Sequence, residues 1–155
     1  MADSTGFRRG KALAAAARFP SFDELSAMSR RFDHIDLRVR NLREVRGFYS
    51  ALMPALGFTK EFEVNGWLEY QAGEGPEAVD FFGMIESPSH IPNENRIAFW
   101  VESYKEVDRL AEIVRTAGGQ KIEGPLHEAE YYYAVFFEDP SGNRLEICHR
   151  TRQDS

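Results

Sequence analysis

The sequence predicts an α+β protein made of two tandem βαβββ units, and three observations carry that expectation. The same order of patterns occurs twice: an alternating strand, an amphipathic helix stopped by glycine, then three more strands. A shift of 62 residues lays Arg43-Glu44-Val45 on Lys105-Glu106-Val107, Gly57 on Gly119 and His34 on Arg96. The chain then closes on Tyr131–His149, two strand patterns joined by the turn cluster Asp139-Pro140-Ser141-Gly142-Asn143.

Each element has its own warrant. In "FDHIDLRV", Ile35, Leu37 and Val39 alternate with His34, Asp36 and Arg38, a strand with one face on a core. Asn41 then caps a helix over 42–56, with Leu42, Val45, Phe48, Tyr49 and Leu52 at helical spacing and an irregular last turn at Pro54. Three short strands are expected at 58–64, 67–71 and 78–85. The second unit repeats the series: strand 96–101, a capped helix ending at Gly118-Gly119, and strands at 120–124, 131–137 and 143–149. The units therefore span about 31–87 and 96–150, followed by a short tail, 151–155.

Residues 1–30 differ in composition. Residues 1–31 carry a net charge of +3 against −6 for the whole chain, which leaves −9 on the remainder. Arg8 to Arg18 reads as an alanine-rich helix stopped by Pro20, and Ser21 with Glu24 as a second helix start. The expectation is a peripheral helical extension that packs on a partner subunit, with Met28 as an alternative start. The apolar stretch after Arg8-Arg9 is too weak for an export signal.

Composition limits the function. With 43% hydrophobic and 13% aromatic residues the chain can build a core, so a disordered scaffold is excluded. The acidic balance argues against a nucleic-acid or anionic-membrane binder. One cysteine excludes an intrachain disulfide and fits a reducing, cytoplasmic setting. No apolar run approaches the roughly 18–20 residues that span a bilayer. Phosphate-binding glycine loops, paired CxxC, nucleophile elbows and HExxH are all absent from the sequence.

One residue breaks its pattern. Glu146 lies in mid-strand between Leu145 and Ile147, on the parity of Arg144 and Cys148. Pattern alone makes it a solvent-facing acid. Yet "FFEDPSGNRLEICH" resembles the closing hairpin of the vicinal oxygen chelate superfamily, which holds glyoxalases, bleomycin-resistance proteins and extradiol dioxygenases. The resemblance covers about residues 31–150 and implies two βαβββ modules whose sheets form an open, barrel-like cup with the helices outside. It further implies a small-molecule ligand and a homodimer. In metal-dependent members each module supplies one ligand from its first strand and one from its last, and the glutamate matching Glu146 is a ligand. Setting "AVDFFG" against "RLEICH", a shift of 66 residues, aligns Asp80 with Glu146. The implied quartet is His34, Asp80, Arg96 and Glu146.

Arg96 is the departure. A guanidinium stays protonated and has no lone pair for a metal. Two readings follow. In one, Arg96 replaces the metal by pairing with Asp80 and Glu146, leaving a degenerate metal site in a small-molecule-binding protein, or in an enzyme that uses Glu146 or Asp80 as base and Arg96 as anion clamp. In the other, Arg96 turns away while His34, Glu146 and Asp80 hold one divalent cation (Zn, Ni, Mn or Fe) for a lyase, isomerase or dioxygenase. Glu146, Asp80 and Arg96 are the candidate catalytic groups, with His127 at the cup mouth as a substrate contact or acid/base group. Trp100, Phe82, Tyr131 and Tyr133 are expected to line the pocket. His149 should point away from Glu146, Cys148 should share its face as an inert residue, and His90 should be solvated.

Overall fold

A computed structural model describes residues 32–73 and 80–151. The expectations for residues 1–30, for Ala78 and Val79, and for the tail after Thr151 lie outside the described residues. Module one runs β1 (His34–Val39), α1 (Leu42–Ala55), β2 (Lys60–Val64), β3 (Trp67–Ala72) and β4 (Asp80–Glu86). Module two runs β5 (Arg96–Trp100), α2 (Tyr104–Ala117), β6 (Gln120–Ala129), β7 (Tyr132–Glu138) and β8 (Arg144–Arg150). The starts of β1 and β5, and both ends of the two helices, obey the 62-residue shift. The fold is therefore α+β, with two tandem βαβββ modules.

Local chemistry sets the helix ends. The Asn41 side chain accepts from the Arg43 amide, and Glu86 at the end of β4 accepts the Leu42 amide at 2.9 Å. The Leu56 amide bonds both the Leu52 and Met53 carbonyls, and the Gly57 amide bonds that of Pro54, so the last turn tightens around the proline. In α2, Ser103 caps the start, and Gly118 takes the left-handed conformation (φ 95°) that closes it.

The strands form two four-stranded sheets, in the orders β1-β4-β3-β2 and β5-β8-β7-β6, and the first and last strands of each module are parallel neighbours. Among the described residues no strand of one sheet pairs with a strand of the other, so the sheets remain unclosed. One core joins the modules. Phe82 of β4 packs on Tyr49 of α1 and Phe99 of β5 (ring centroids 5.9 and 5.5 Å), and Phe48 packs on Phe137 (6.1 Å). The helices and one face of each sheet are spent on this core. The opposite face of each sheet is left for a site.

The turn between β7 and β8 locks module two onto module one. Asp139 is fully buried, yet it accepts the Ser141 and Asn143 amides (2.8 Å each), the Asn143 side chain (2.9 Å) and the Tyr49 hydroxyl (2.8 Å). The Arg40 amide donates to Ser141 Oγ, and the Asn143 side chain donates to the Arg38 carbonyl. Asn143 also holds His90, whose Nε2 lies 2.9 Å from Asn143 Oδ1, so that histidine has a protein partner where the sequence suggested solvent alone.

Candidate functional site

On the open face of module two, the register of the β7–β8 hairpin sets Phe136 opposite Glu146 and Tyr132 opposite Arg150. On the other side of β8, Arg96 faces Arg144 and Ala98 faces Glu146. Arg144, Glu146, Tyr132, Phe136 and Arg96 therefore share one surface.

Glu146 is its centre. The residue is only 4% exposed, so the solvent-facing reading of the bare pattern does not hold. A hydrogen bond and an ion pair offset its burial. The Tyr132 hydroxyl makes a very short hydrogen bond to Oε1, and Arg96 Nη1 lies 3.7 Å from Oε2 as an ion-pair partner. Arg96 reaches across β8 to place its guanidinium 4.6 Å from the Phe136 ring centre, and Arg150 covers Tyr132 in the same way at 4.0 Å. Burial and then Glu146 push the Tyr132 hydroxyl up to about 12, and the same causes push the Cys148 thiol up to about 11. Both groups remain protonated donors at neutral pH. This agrees with Cys148 as an inert neighbour of Glu146.

Module one places its matching residues differently from the sequence alignment. On β1 and β4, Ile35 pairs with Phe82 and Asp36 with Gly83. On β5 and β8, Ile97 pairs with Leu145 and Ala98 with Glu146. The partner of Glu146 in module one is therefore Gly83, a shift of 63 residues, and not Asp80 at 66. The error is an odd number of residues, which moves a strand residue to the other face. Asp80 starts β4 on the parity of Phe82 and Met84, and both of those lie in the core. Above Gly83 sits the Trp67 indole: a Cβ there would stand 2.9 Å from Trp67 Nε1 and 3.1 Å from Asp36 Oδ1. His34 stacks on Phe81 (4.5 Å), with Nδ1 2.9 Å from Asp33 Oδ2 and Nε2 3.9 Å from Asp36 Oδ2.

The remaining candidates divide by face. Trp100 shares the Glu146 surface at its exposed end and donates to the Arg150 carbonyl at 3.3 Å. Phe82 is a core residue and not a pocket wall. Tyr133 lies on the helix side, where its hydroxyl donates to Asp108 Oδ1 (2.8 Å) and its ring meets Tyr104 and His127. His127 belongs to that aromatic group on α2 and not to the Glu146 surface. Tyr131 falls in the turn before β7, half-exposed. His149 bonds the Val101 carbonyl and meets Tyr104, pointing away from Glu146 as its parity requires. Tyr132 was the residue sequence reasoning did not single out. A signal for it existed, because a five-residue turn at 139–143 pairs 138 with 144 and so brings 132 onto the face of 146.

The family's divalent metal does not fit these residues. Of the quartet that the resemblance implies, His34, Asp80, Arg96 and Glu146, the observed register puts Gly83 in the place given to Asp80, so two of the four positions, His34 and Glu146, can donate to a metal. Glu146 already accepts from the Tyr132 hydroxyl and pairs with the Arg96 cation. Among the described residues no group of three or more His, Cys, Asp or Glu side chains is placed to hold a metal ion.

Two unclosed four-stranded sheets from tandem βαβββ modules define a paired-module α+β protein. Residues 31–147 match the family model of the Glyoxalase/Bleomycin resistance protein/Dioxygenase superfamily, and the chain belongs to that family. A glyoxalase/bleomycin resistance protein from Albidiferax ferrireducens T118 has a similar structure (TM-score 0.65, 24% identity, 79% of this chain and 100% of that one). So does the fosfomycin resistance protein FosX from Listeria monocytogenes, solved with Mn(II) and sulfate (TM-score 0.59, 20% identity, 80% and 93% of the chains). FosX from Mesorhizobium loti matches with TM-score 0.59 at 19% identity, covering 80% and 95% of the chains. At these identities the likeness concerns the fold. Comparison with curated proteins finds no match.

Proposed function

We propose that this protein binds a small molecule on the open face of module two, and that Arg96 there stands in the place of a metal-ligand histidine. The observation that carries the reading is the Arg96–Glu146 contact at 3.7 Å, with Tyr132 on the other carboxylate oxygen. A divalent cation about 5 Å from a guanidinium would meet roughly 6–7 kcal/mol of repulsion at an effective dielectric near 20. Because Glu146 is nearly buried, bonded by Tyr132 and paired with Arg96, it forms the floor of a binding surface and is not a free general base. Binding is accordingly the activity proposed, in place of the lyase, isomerase or dioxygenase chemistry of metal-dependent relatives.

A homodimer in the cytoplasm belongs to the same proposal. Phe62, Val64, His34, Arg96 and Trp100 are exposed on the open faces, which supports a second copy covering them. The lone cysteine supports a reducing compartment. No helix among the described residues is long and apolar enough to cross a membrane. Elemental analysis of purified, untagged protein tests the central point, with sedimentation giving the oligomeric state. The reading expects metal far below one equivalent per chain. One equivalent that persists through dialysis would restore a metal-dependent enzyme.

A further inference from the structure

The register of the second sheet puts two arginines side by side. Arg96 at the start of β5 pairs directly with Arg144 at the start of β8, and both point to the open face. Like charges directly opposite on adjacent strands destabilise a sheet. Arg96 gains some relief from Glu146 and Phe136. Arg144 has no carboxylate within ion-pairing distance among the described residues, since its cross-strand neighbour Glu138 is taken by Lys121 (Nζ to Oε1, 3.0 Å).

The space around this pair is concave. A cavity of about 290 Å³ lies between Arg96, Arg144, Lys121 and Phe136, and another of about 410 Å³ adjoins it at Arg144, Lys121 and Glu138 and extends to Arg40. Lys121 is aimed there by irregular backbone. It sits in the left-handed region at φ 45°, within the register shift of β6 between Gln120 and Glu123, a conformation unfavourable for a residue with a side chain. Four cations thus line neighbouring cavities that share Arg144 and Lys121, in a chain whose net charge is −6. Three acids line them too: Glu138, which pairs with the exposed Lys121, and Glu94 and Glu123, which are exposed and screened by solvent, so the two arginines of the sheet carry the excess charge.

Resting on the reading of this face as a small-molecule site, we infer that its ligand is an organic oxyanion, held by Arg144 with Arg96 and Lys121. The anion relieves the Arg96–Arg144 repulsion through charge-assisted hydrogen bonds, and its apolar body lies against Phe136. The shared chemistry is a carboxylate or phosphonate head. The Tyr132 hydroxyl keeps its hydrogen bond to Glu146 while Arg96 turns toward the ligand.

Calorimetric titration of the full chain with benzoate, phenylphosphonate and the neutral analogue benzamide tests this, using the parent protein, Arg144→Gln and Arg144→Lys. The expected result is one anion per chain, weakened by salt, with benzamide bound at least about tenfold more weakly. Arg144→Gln should lose about 10- to 100-fold in anion affinity and Arg144→Lys less. The ratio of benzoate to phenylphosphonate affinity identifies the head group. Arg144→Gln should also melt no lower than the parent, because it removes a repulsion, which separates lost binding from lost folding. Equal affinity for benzoate and benzamide, or unchanged anion affinity in Arg144→Gln, overturns the oxyanion assignment and leaves the site reading intact. Anion binding that requires added Zn²⁺ or Mn²⁺ overturns both.

Discussion

Replacing Arg96 by alanine should lower folding stability by about 1–3 kcal/mol, a value worked from its two contacts. Unit charges 3.7 Å apart attract by about 4–5 kcal/mol at an effective dielectric near 20, which is an upper bound. The Arg96 side chain is 44% exposed, so solvent screens much of that attraction. Glu146 is nearly buried and would lose its cationic partner, which restores part of the cost as a desolvation penalty. The stack on Phe136 adds about 0.5–1 kcal/mol. A complete orphaning of Glu146 would cost more, but the Tyr132 hydroxyl remains. Urea unfolding followed by circular dichroism measures the change. A double-mutant cycle with Glu146→Gln isolates the pairwise coupling, expected at about 0.5–2 kcal/mol. An Arg96→Ala protein as stable as the parent, with coupling near zero, would refute the claim that this arginine neutralises Glu146.

Two further outcomes follow from the same surface. Gly83→Ala should destabilise the protein by about 1–3 kcal/mol, because the new methyl meets Trp67 and Asp36, and thermal melting reads it directly. Stability should also fall in alkali. Tyr132 is raised to about 12 and Tyr49 is raised by burial, so the unfolded chain loses these protons first, and stability present below about pH 10 is lost as pH rises toward 12. Tyr132→Phe should flatten part of that loss in pH-dependent unfolding. An unchanged alkaline limb would contradict the role given to Tyr132.

Much of the fold was legible because repetition and periodicity are local signals. The strand, helix and glycine stop of each module recur at a fixed shift, and the two helices obey it at both ends. The site was legible only where chain geometry was tight. The short β7–β8 turn fixed Glu146 and Cys148 on one face, with His149 on the other. Where a loop intervenes, parity is lost. The segment before β4 hid the odd-numbered error that put Asp80, rather than Gly83, in register with Glu146. Phe82 was misplaced by the same slip. β6 runs on through Gly124-Pro125 to Ala129, past the Gly124 where the sequence suggests it ends, because an edge strand tolerates a proline and a bulge. The Arg96–Arg144 pair depends on a parallel register between strands more than forty residues apart, which no local pattern reports.

The most direct test of the central claim is calorimetric titration of the parent protein and of Arg96→His with Zn²⁺, Ni²⁺ and Mn²⁺. Removing the guanidinium and supplying an imidazole beside Glu146 should create divalent-metal affinity in the variant where the parent has none. Adding Glu146→Gln to the variant should abolish it. Tight, stoichiometric binding by the parent protein that is lost in its own Glu146→Gln variant would contradict the account.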